Sequence, residues 1–331
     1  MAESDARLWA QADLLTPMAI RAAATLRIAD HITLGLRTAT ELAEVTKSDS
    51  DALDRMLRHL ASEGVLSRED DGRYALTARG DELRDDHPAG TRATLDMEGA
   101  VGRADLSFVH LLHTVRTGEP AFQAQFGRSF WDDLSADHTR AASYATQMGS
   151  DATSWASAII SAYDWGALGE VVDVGGGNGS LLIALLREYP ALRGTVLDLP
   201  ETAEAARMAL AAARLGDRSR VVAASFFDPL PPGAGGYLLS AILHDWDDDA
   251  VRAILRRCAD AAGRDGAVFV VEKIGPDGET LRTGMDLRVL AYFGGRERGV
   301  TEIGALAGRA GLGVTAVHPA GDLSIIELAA L

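Results

Sequence analysis

The chain has 331 residues, 47% of them hydrophobic, and a formal net charge of −16. That length exceeds what one ordinary core organises and predicts two domains. So acidic a surface repels nucleic acids and anionic membranes, and neither is expected as a partner.

A single cysteine, Cys258, excludes a disulfide framework or a cysteine-rich zinc site within the chain. The eight histidines are scattered, so no metal cofactor is expected. The opening MAESDARLWA is polar and acidic, unlike a signal peptide. No uncharged apolar run reaches the roughly 18 residues of a membrane span. A soluble, cytoplasmic protein is the expectation.

Residues 1–95 are expected to form a first domain of helices with one small hairpin. Leu8, Leu14, Leu15, Met18, Ile20, Leu26, Ile28 and Ile32 make an apolar stripe at helical spacing, read as one long leading helix. Thr38 followed three residues later by Glu41 is a capping box. Ser50 opens a helix with Leu53, Met56, Leu57 and Leu60 on one face and Gly64 at its end. An Asp-Asp-Gly turn in SREDDGRYALTARG then marks a hairpin. Helices followed by a hairpin are a winged-helix pattern, which often binds DNA. Residues 1–90, however, carry 17 acidic and 11 basic side chains, and a DNA reader needs a basic face. The apolar surplus of the leading helix favours dimerisation instead, giving a homodimer.

Residues 96–165 are expected to be a helical connector. They hold an aromatic patch (Phe122, Phe126, Phe130 and Trp131) and a helix from about Ala141 to Ile160. Residues 166–331 alternate strand and helix. The expected strands are 170–174, 194–199, 220–224, 237–243 and 267–273, followed by two more in GVTAVHP and LSIIELAAL. Continuous apolar strands separated by helices predict a mostly parallel sheet with helices on both faces. The last two strands are too closely spaced for a parallel crossover and should pair antiparallel.

Strand 170–174 runs into Asp173-Val-Gly175-Gly-Gly177-Asn-Gly179-Ser180. Glycines there permit a tight turn and close ligand approach. Dinucleotide and methyl-donor enzymes share such a turn. The dinucleotide fingerprint fails at its third glycine, where Ser180 stands. Asp173 suits the ammonium of an amino-acid ligand, and Asp198, ending the second strand, suits ribose hydroxyls. The antiparallel final hairpin favours a methyl donor.

Taken in order, TGEPAFQAQFGRSFW (117–131), VVDVGGGNGS, LDLP, SFFDPLP, LLSAILHDWDDD, VVEK and GGRER resemble the class I, metal-independent, S-adenosylmethionine-dependent O-methyltransferases. The likeness is to the plant caffeate-type enzymes and their actinobacterial relatives that methylate polyketides and other aromatic natural products, some of them antibiotics, and it runs nearly end to end. It implies a winged-helix-like dimerisation domain followed by a Rossmann-like domain with a seven-stranded sheet and an antiparallel C-terminal strand. It implies S-adenosylmethionine as donor, S-adenosylhomocysteine as product, and an aromatic small molecule as acceptor.

By that resemblance the donor would touch Gly175, Gly177, Asp198, Leu199, Ser225, Phe226, Phe227, Ser240 and Met148. Ser225 stands where the family usually has an aspartate for the adenine amino group. His244, just past the fourth strand, would be the general base, with Glu272 and Glu297 flanking it and Asp245 beside it. Trp131, Tyr144, Met148, Leu290, Tyr292 and Phe293 would line the acceptor pocket. Other chemistry on the same donor-binding scaffold, such as hydroxylation, decarboxylation or N-methylation, is the alternative; the intact set of His244, Glu272 and Glu297 speaks for O-methylation.

Overall fold

In the computed structural model, which describes residues 3–275, 280 and 282–331, the chain divides into two units, Met1–Leu106 and Ser107–Leu331. In the first unit the expected long leading helix is three helices, Glu3–Ala12, Leu15–Thr25 and Ile28–Thr33. The chain breaks twice for local reasons. Asp13 Oδ1 accepts from Leu15 N at 3.1 Å and starts a new helix. Arg27 takes a left-handed φ of 54°, which no helix continues through.

Helix Ala39–Thr46 carries the expected capping box, with Thr38 and Glu41 bonded reciprocally. Helix Ser50–Ser62 is capped by Asp49, not Ser50: the Asp49 carboxylate accepts from Ala52 N at 2.8 Å. Gly64, at φ 70°, releases the chain into the hairpin strands β1 (Leu66–Arg68) and β2 (Tyr74–Leu76). Leu42, Leu57, Leu60 and Tyr74 are fully buried among these elements, and the Tyr74 hydroxyl donates to Asp54 at 2.7 Å. Leu8, Trp9, Leu14 and Leu15 are 60–72% exposed, so the apolar surplus of the leading segment lies uncovered in the single chain.

The second unit opens with short helices and then helix His138–Ala162, capped by Asp137. Seven strands follow: β3 (Glu170–Val174), β4 (Arg193–Asp198), β5 (Ser219–Ala223), β6 (Gly236–Ser240), β7 (Ala267–Glu272), β8 (Leu312–Ala320) and β9 (Leu323–Ala330). Their order is β5-β4-β3-β6-β7-β9-β8. The first five pair parallel, and β9 runs antiparallel to both β7 and β8. One face of the sheet packs on helix Asp248–Ala262 through Val251, Ile254 and Leu255, and the other on helix Ser180–Glu188 through Leu182 and Leu185. Apolar runs buried on both faces are why these strands contain almost no alternation.

The fourth sheet strand ends at Ser240, short of the expected Leu243. Ala241 has a left-handed φ of 54° and turns the chain out of the sheet. That turn decides where the next residues point. Among the described residues no helix is long and apolar enough to cross a membrane.

Candidate functional site

The carboxyl ends of β3, β4, β6 and β7 lie on one edge of the sheet, and the candidate residues gather there. After β3 the chain turns through Gly175, Gly177 and Gly179, all at positive φ. Gly175 N donates to Leu197 O at 2.8 Å and Gly177 N to Asp198 Oδ2 at 2.8 Å. Asp198 Oδ1 also accepts from Leu199 N at 2.7 Å. Burial raises the Asp198 pKa above the usual carboxylate range, against the bonds from Gly177, Leu199 and Thr202. Three of the four lone pairs of this carboxylate are thus taken, and one remains open.

Beneath the loop sits Asp173, which is 1% exposed. A Cβ on Gly176 would stand 2.6 Å from the Asp173 carboxyl carbon, so only glycine lets the loop close over this acid. Among the described residues Asp173 Oδ2 has no hydrogen-bond partner. Burial, with repulsion from Asp198, pushes its pKa up to about 7. A buried acid with an open oxygen is suited to a cationic ligand group.

The far wall of the loop is apolar. A Cβ on Gly175 would meet Ile242 at 2.6 Å and Phe226 at 3.4 Å. Phe226 and Phe227 pack edge-on to Trp246, at 5.6 and 5.0 Å between centroids. The Ser225 hydroxyl accepts from Phe227 N at 3.2 Å, which fixes the turn that presents these rings. Leu199 is 40% exposed just beyond Asp198, and Ser240 ends β6.

His244 lies on a single 3-10 turn, Leu243–Asp245. Its Nδ1 is 3.1 Å from Glu272 Oε2 and 3.8 Å from Glu297 Oε1, and its Nε2 is 3.3 Å from Asp245 Oδ1. Glu272, at the end of β7, uses its other oxygen to accept from Leu243 N at 2.9 Å, fixing both backbone and ring. Glu297 is held by Arg282 at 3.3 Å, and its own N–H donates to Asp286 at 2.8 Å. Burial works against the charged ring, but Glu272, Asp245 and Glu297 together outweigh it and raise the His244 pKa from 6.5 to about 10. Burial, with Glu272 and Glu297 nearby, raises Asp245 to about 7 although the ring draws it down.

Two residues that the sequence reading quoted within motifs but did not single out complete the site. Arg298, buried, donates to Leu243 O at 2.9 Å and Trp246 O at 2.8 Å while also binding Asp248, and so clasps the turn on both sides of His244. Trp246 is nearly parallel to Trp131, at 5.8 Å and 10°. Trp131 is likewise nearly parallel to Phe293, at 5.1 Å and 16°. The signal for both lay in HDWDDD and GGRER, but the contacts that matter are made across the fold.

Among the expected acceptor residues, Trp131, Tyr144 and Phe293 surround Phe130 within 4.8–5.4 Å. Tyr292 is buried and packs against Phe108 and Phe293. Leu290 is half-buried on helix Thr283–Phe293, and Met148 is 37% exposed on helix His138–Ala162. The arrangement gathers two acids and three glycines at one edge of the sheet. Beside them stand an imidazole ringed by carboxylates and a set of flat rings.

Residues 108–313 match the O-methyltransferase domain family, and residues 10–84 match the O-methyltransferase dimerisation domain. The 2,7-dihydroxy-5-methyl-1-naphthoate 7-O-methyltransferase of Streptomyces carzinostaticus is 55% identical over 98% of this chain and 97% of its own. The aclacinomycin 10-hydroxylase RdmB of Streptomyces purpurascens is 43% identical over 96% of this chain and 88% of its own. The crystal structure of the neocarzinostatin-biosynthesis O-methyltransferase NcsB1, in complex with S-adenosylmethionine and 2-hydroxy-5-methyl naphthoic acid, superimposes with a TM-score of 0.94. It is 54% identical and covers 98% of each chain.

The carboxylates around His244 should be visible in its titration. Followed by NMR, the ring is expected to stay protonated through neutral pH and to lose its proton near pH 10. Replacing Glu272 by Gln should lower that midpoint by about one unit or more. A wild-type midpoint near 6.5 would contradict this account of the cluster.

Proposed function

The chain belongs to the family of S-adenosylmethionine-dependent O-methyltransferases, and on that premise we propose that it moves a methyl group from S-adenosylmethionine to a hydroxyl oxygen on an aromatic small molecule of naphthoate size. The observation that carries the proposal is the His244 ring, gripped at Nδ1 by Glu272 at 3.1 Å, two residues beyond the Ile242 that abuts the glycine turn. The naphthoate enzyme at 55% identity supports the acceptor class.

The chain's residues fit the donor. The unpartnered Asp173 oxygen under Gly176 complements an ammonium group. The Asp198 carboxylate has a lone pair left for a ribose hydroxyl, with Gly177 and Leu199 holding it in place. Phe226 and Phe227 offer ring faces for an adenine, Ser225 sets their turn, and Ser240 and Met148 flank the cleft. When bound, S-adenosylmethionine supplies a sulfonium methyl already activated for displacement by oxygen.

His244 removes the acceptor's proton. From the neutral ring, with Nε2 unprotonated, the hydroxyl hydrogen passes to Nε2 as oxygen bonds to the methyl carbon, the carbon–sulfur bond breaks, and S-adenosylhomocysteine leaves. Glu272 fixes the ring, and with Glu297 and Asp245 it stabilises the imidazolium that forms. The same carboxylates keep the ring protonated in the free site at neutral pH, so turnover of a neutral phenol should rise with pH toward about 10. Trp131, Tyr144, Leu290, Tyr292 and Phe293 form the aromatic side of the acceptor pocket. We also propose a cytoplasmic homodimer that covers Leu8, Trp9, Leu14 and Leu15 of the dimerisation domain.

The 43% identity to a hydroxylase keeps a second reading alive on the same scaffold. A panel of hydroxynaphthoates and simpler phenols, incubated with labelled donor and read by mass, separates the two. Methylation adds CH2, and hydroxylation adds one oxygen atom. His244→Gln should lower methyl transfer by about 10²-fold or more and leave S-adenosylhomocysteine affinity unchanged; full activity on a neutral phenol would remove His244 as base. Asp198→Ala should weaken S-adenosylhomocysteine by about tenfold or more in calorimetry. Trp9→Glu combined with Leu15→Glu should convert a dimer to monomer in sedimentation, and a wild-type monomer would end the dimer proposal.

A further inference from the structure

Helix His138–Ala162 brings a glycine against the back of the donor loop. Gly149 is buried, and a Cβ on it would stand 3.0 Å from Asn178 Cγ and 3.1 Å from Asn178 Oδ1, overlapping the amide nitrogen. Relaxed contacts between such atoms do not come so close. Asn178 cannot simply swing aside. Its Oδ1 accepts from Ser180 N at 3.1 Å and Ser180 Oγ at 2.6 Å. These bonds cap helix Ser180–Glu188, whose N-cap residue, Gly179, is left-handed and has no side chain to do so. Ahead of Asn178 the loop is anchored by Gly177 to Asp198 and by Gly175 to Leu197.

The other side of the contact belongs to the acceptor pocket. One residue before Gly149 is Met148, and just over one helical turn before it is Tyr144, whose ring stands 5.9 Å from Trp131. The loop is tied by several bonds, so an added side chain at 149 would displace the helix. We infer that Gly149 is a positioning residue: its bare backbone against Asn178 sets the spacing between the acceptor wall and the donor loop, and that spacing governs the rate of methyl transfer. Displacement at carbon needs oxygen, carbon and sulfur in line, and a misplacement of about 1 Å costs on the order of 10²-fold. The inference rests on the proposed donor site in this loop.

Gly149→Ala tests it. By helix propensity alone alanine here would stabilise the protein. The expected result is instead a kcat roughly tenfold to a hundredfold lower, with S-adenosylhomocysteine affinity by calorimetry close to wild type. Asn178→Ser keeps a hydroxyl able to cap Ser180 and removes the amide that meets the new methyl. In that background the alanine should cost almost nothing, so the double variant should turn over like Asn178→Ser alone. A contact that is only structural would lower Tm and leave kcat per folded molecule intact, which would overturn the inference. Wild-type kcat in Gly149→Ala, or a loss that Asn178→Ser does not relieve, would do the same, and so would failure of both the single and the double variant to fold. Absence of S-adenosylhomocysteine binding by the wild-type protein would refute the donor site itself, and the inference with it.

Discussion

Three carboxylates, from Asp245, Glu272 and Glu297, converge on one imidazole where little water reaches. Three buried anions alone would repel one another and lose their hydration. The positive ring of His244 offsets this from the centre, and Arg282 offsets it from the Glu297 side. The charges therefore hold the ring as firmly as the ring holds the charges. An imidazole placed this way has a strong pull for a proton. For the proposed base, the cost is that the same carboxylates hold a proton on the ring at neutral pH.

That cluster is possible because of how the sheet ends. Parallel pairing puts the last residues of β3, β4, β6 and β7 side by side, and each supplies a different chemical part. The first supplies the glycine turn over Asp173, the second Asp198, the third the left-handed Ala241 that swings His244 into place, and the fourth Glu272. The Leu243 amide and the Glu272 carboxylate, 29 residues apart in sequence, meet at 2.9 Å because β6 pairs with β7 and Ala241 then turns the chain toward it. The helices from Ser107 onward add the rings.

Much of this was written in the residue order. The strands were legible because unbroken apolar runs end in glycine or acid, and the antiparallel finish followed from a connection too short to cross over. His244, Glu272 and Glu297 could be named because they sit in motifs whose order is specific. What stayed hidden depends on backbone conformations that no residue type announces. Alanine at a left-handed φ gives no warning that β6 stops at Ser240, and arginine at the same conformation gives none that the leading helix breaks at Arg27. Trp246 and Arg298 were visible as letters, but stacking and a fan of guanidinium bonds exist only once distant segments meet. Nothing in the residue order sets Gly149 apart from other helix glycines.

Arg298 binds the carbonyls of Leu243 and Trp246, and it stands two residues ahead of helix Val300–Arg309, which packs on the same sheet face as Asp248–Ala262. The turn that carries the imidazole is thus stapled to the C-terminal part of the chain. Anything that peels that helix away withdraws the staple at the same moment. Chemical competence is therefore lost on heating no later than the seating of this C-terminal helix, even where the rest of the sheet still holds.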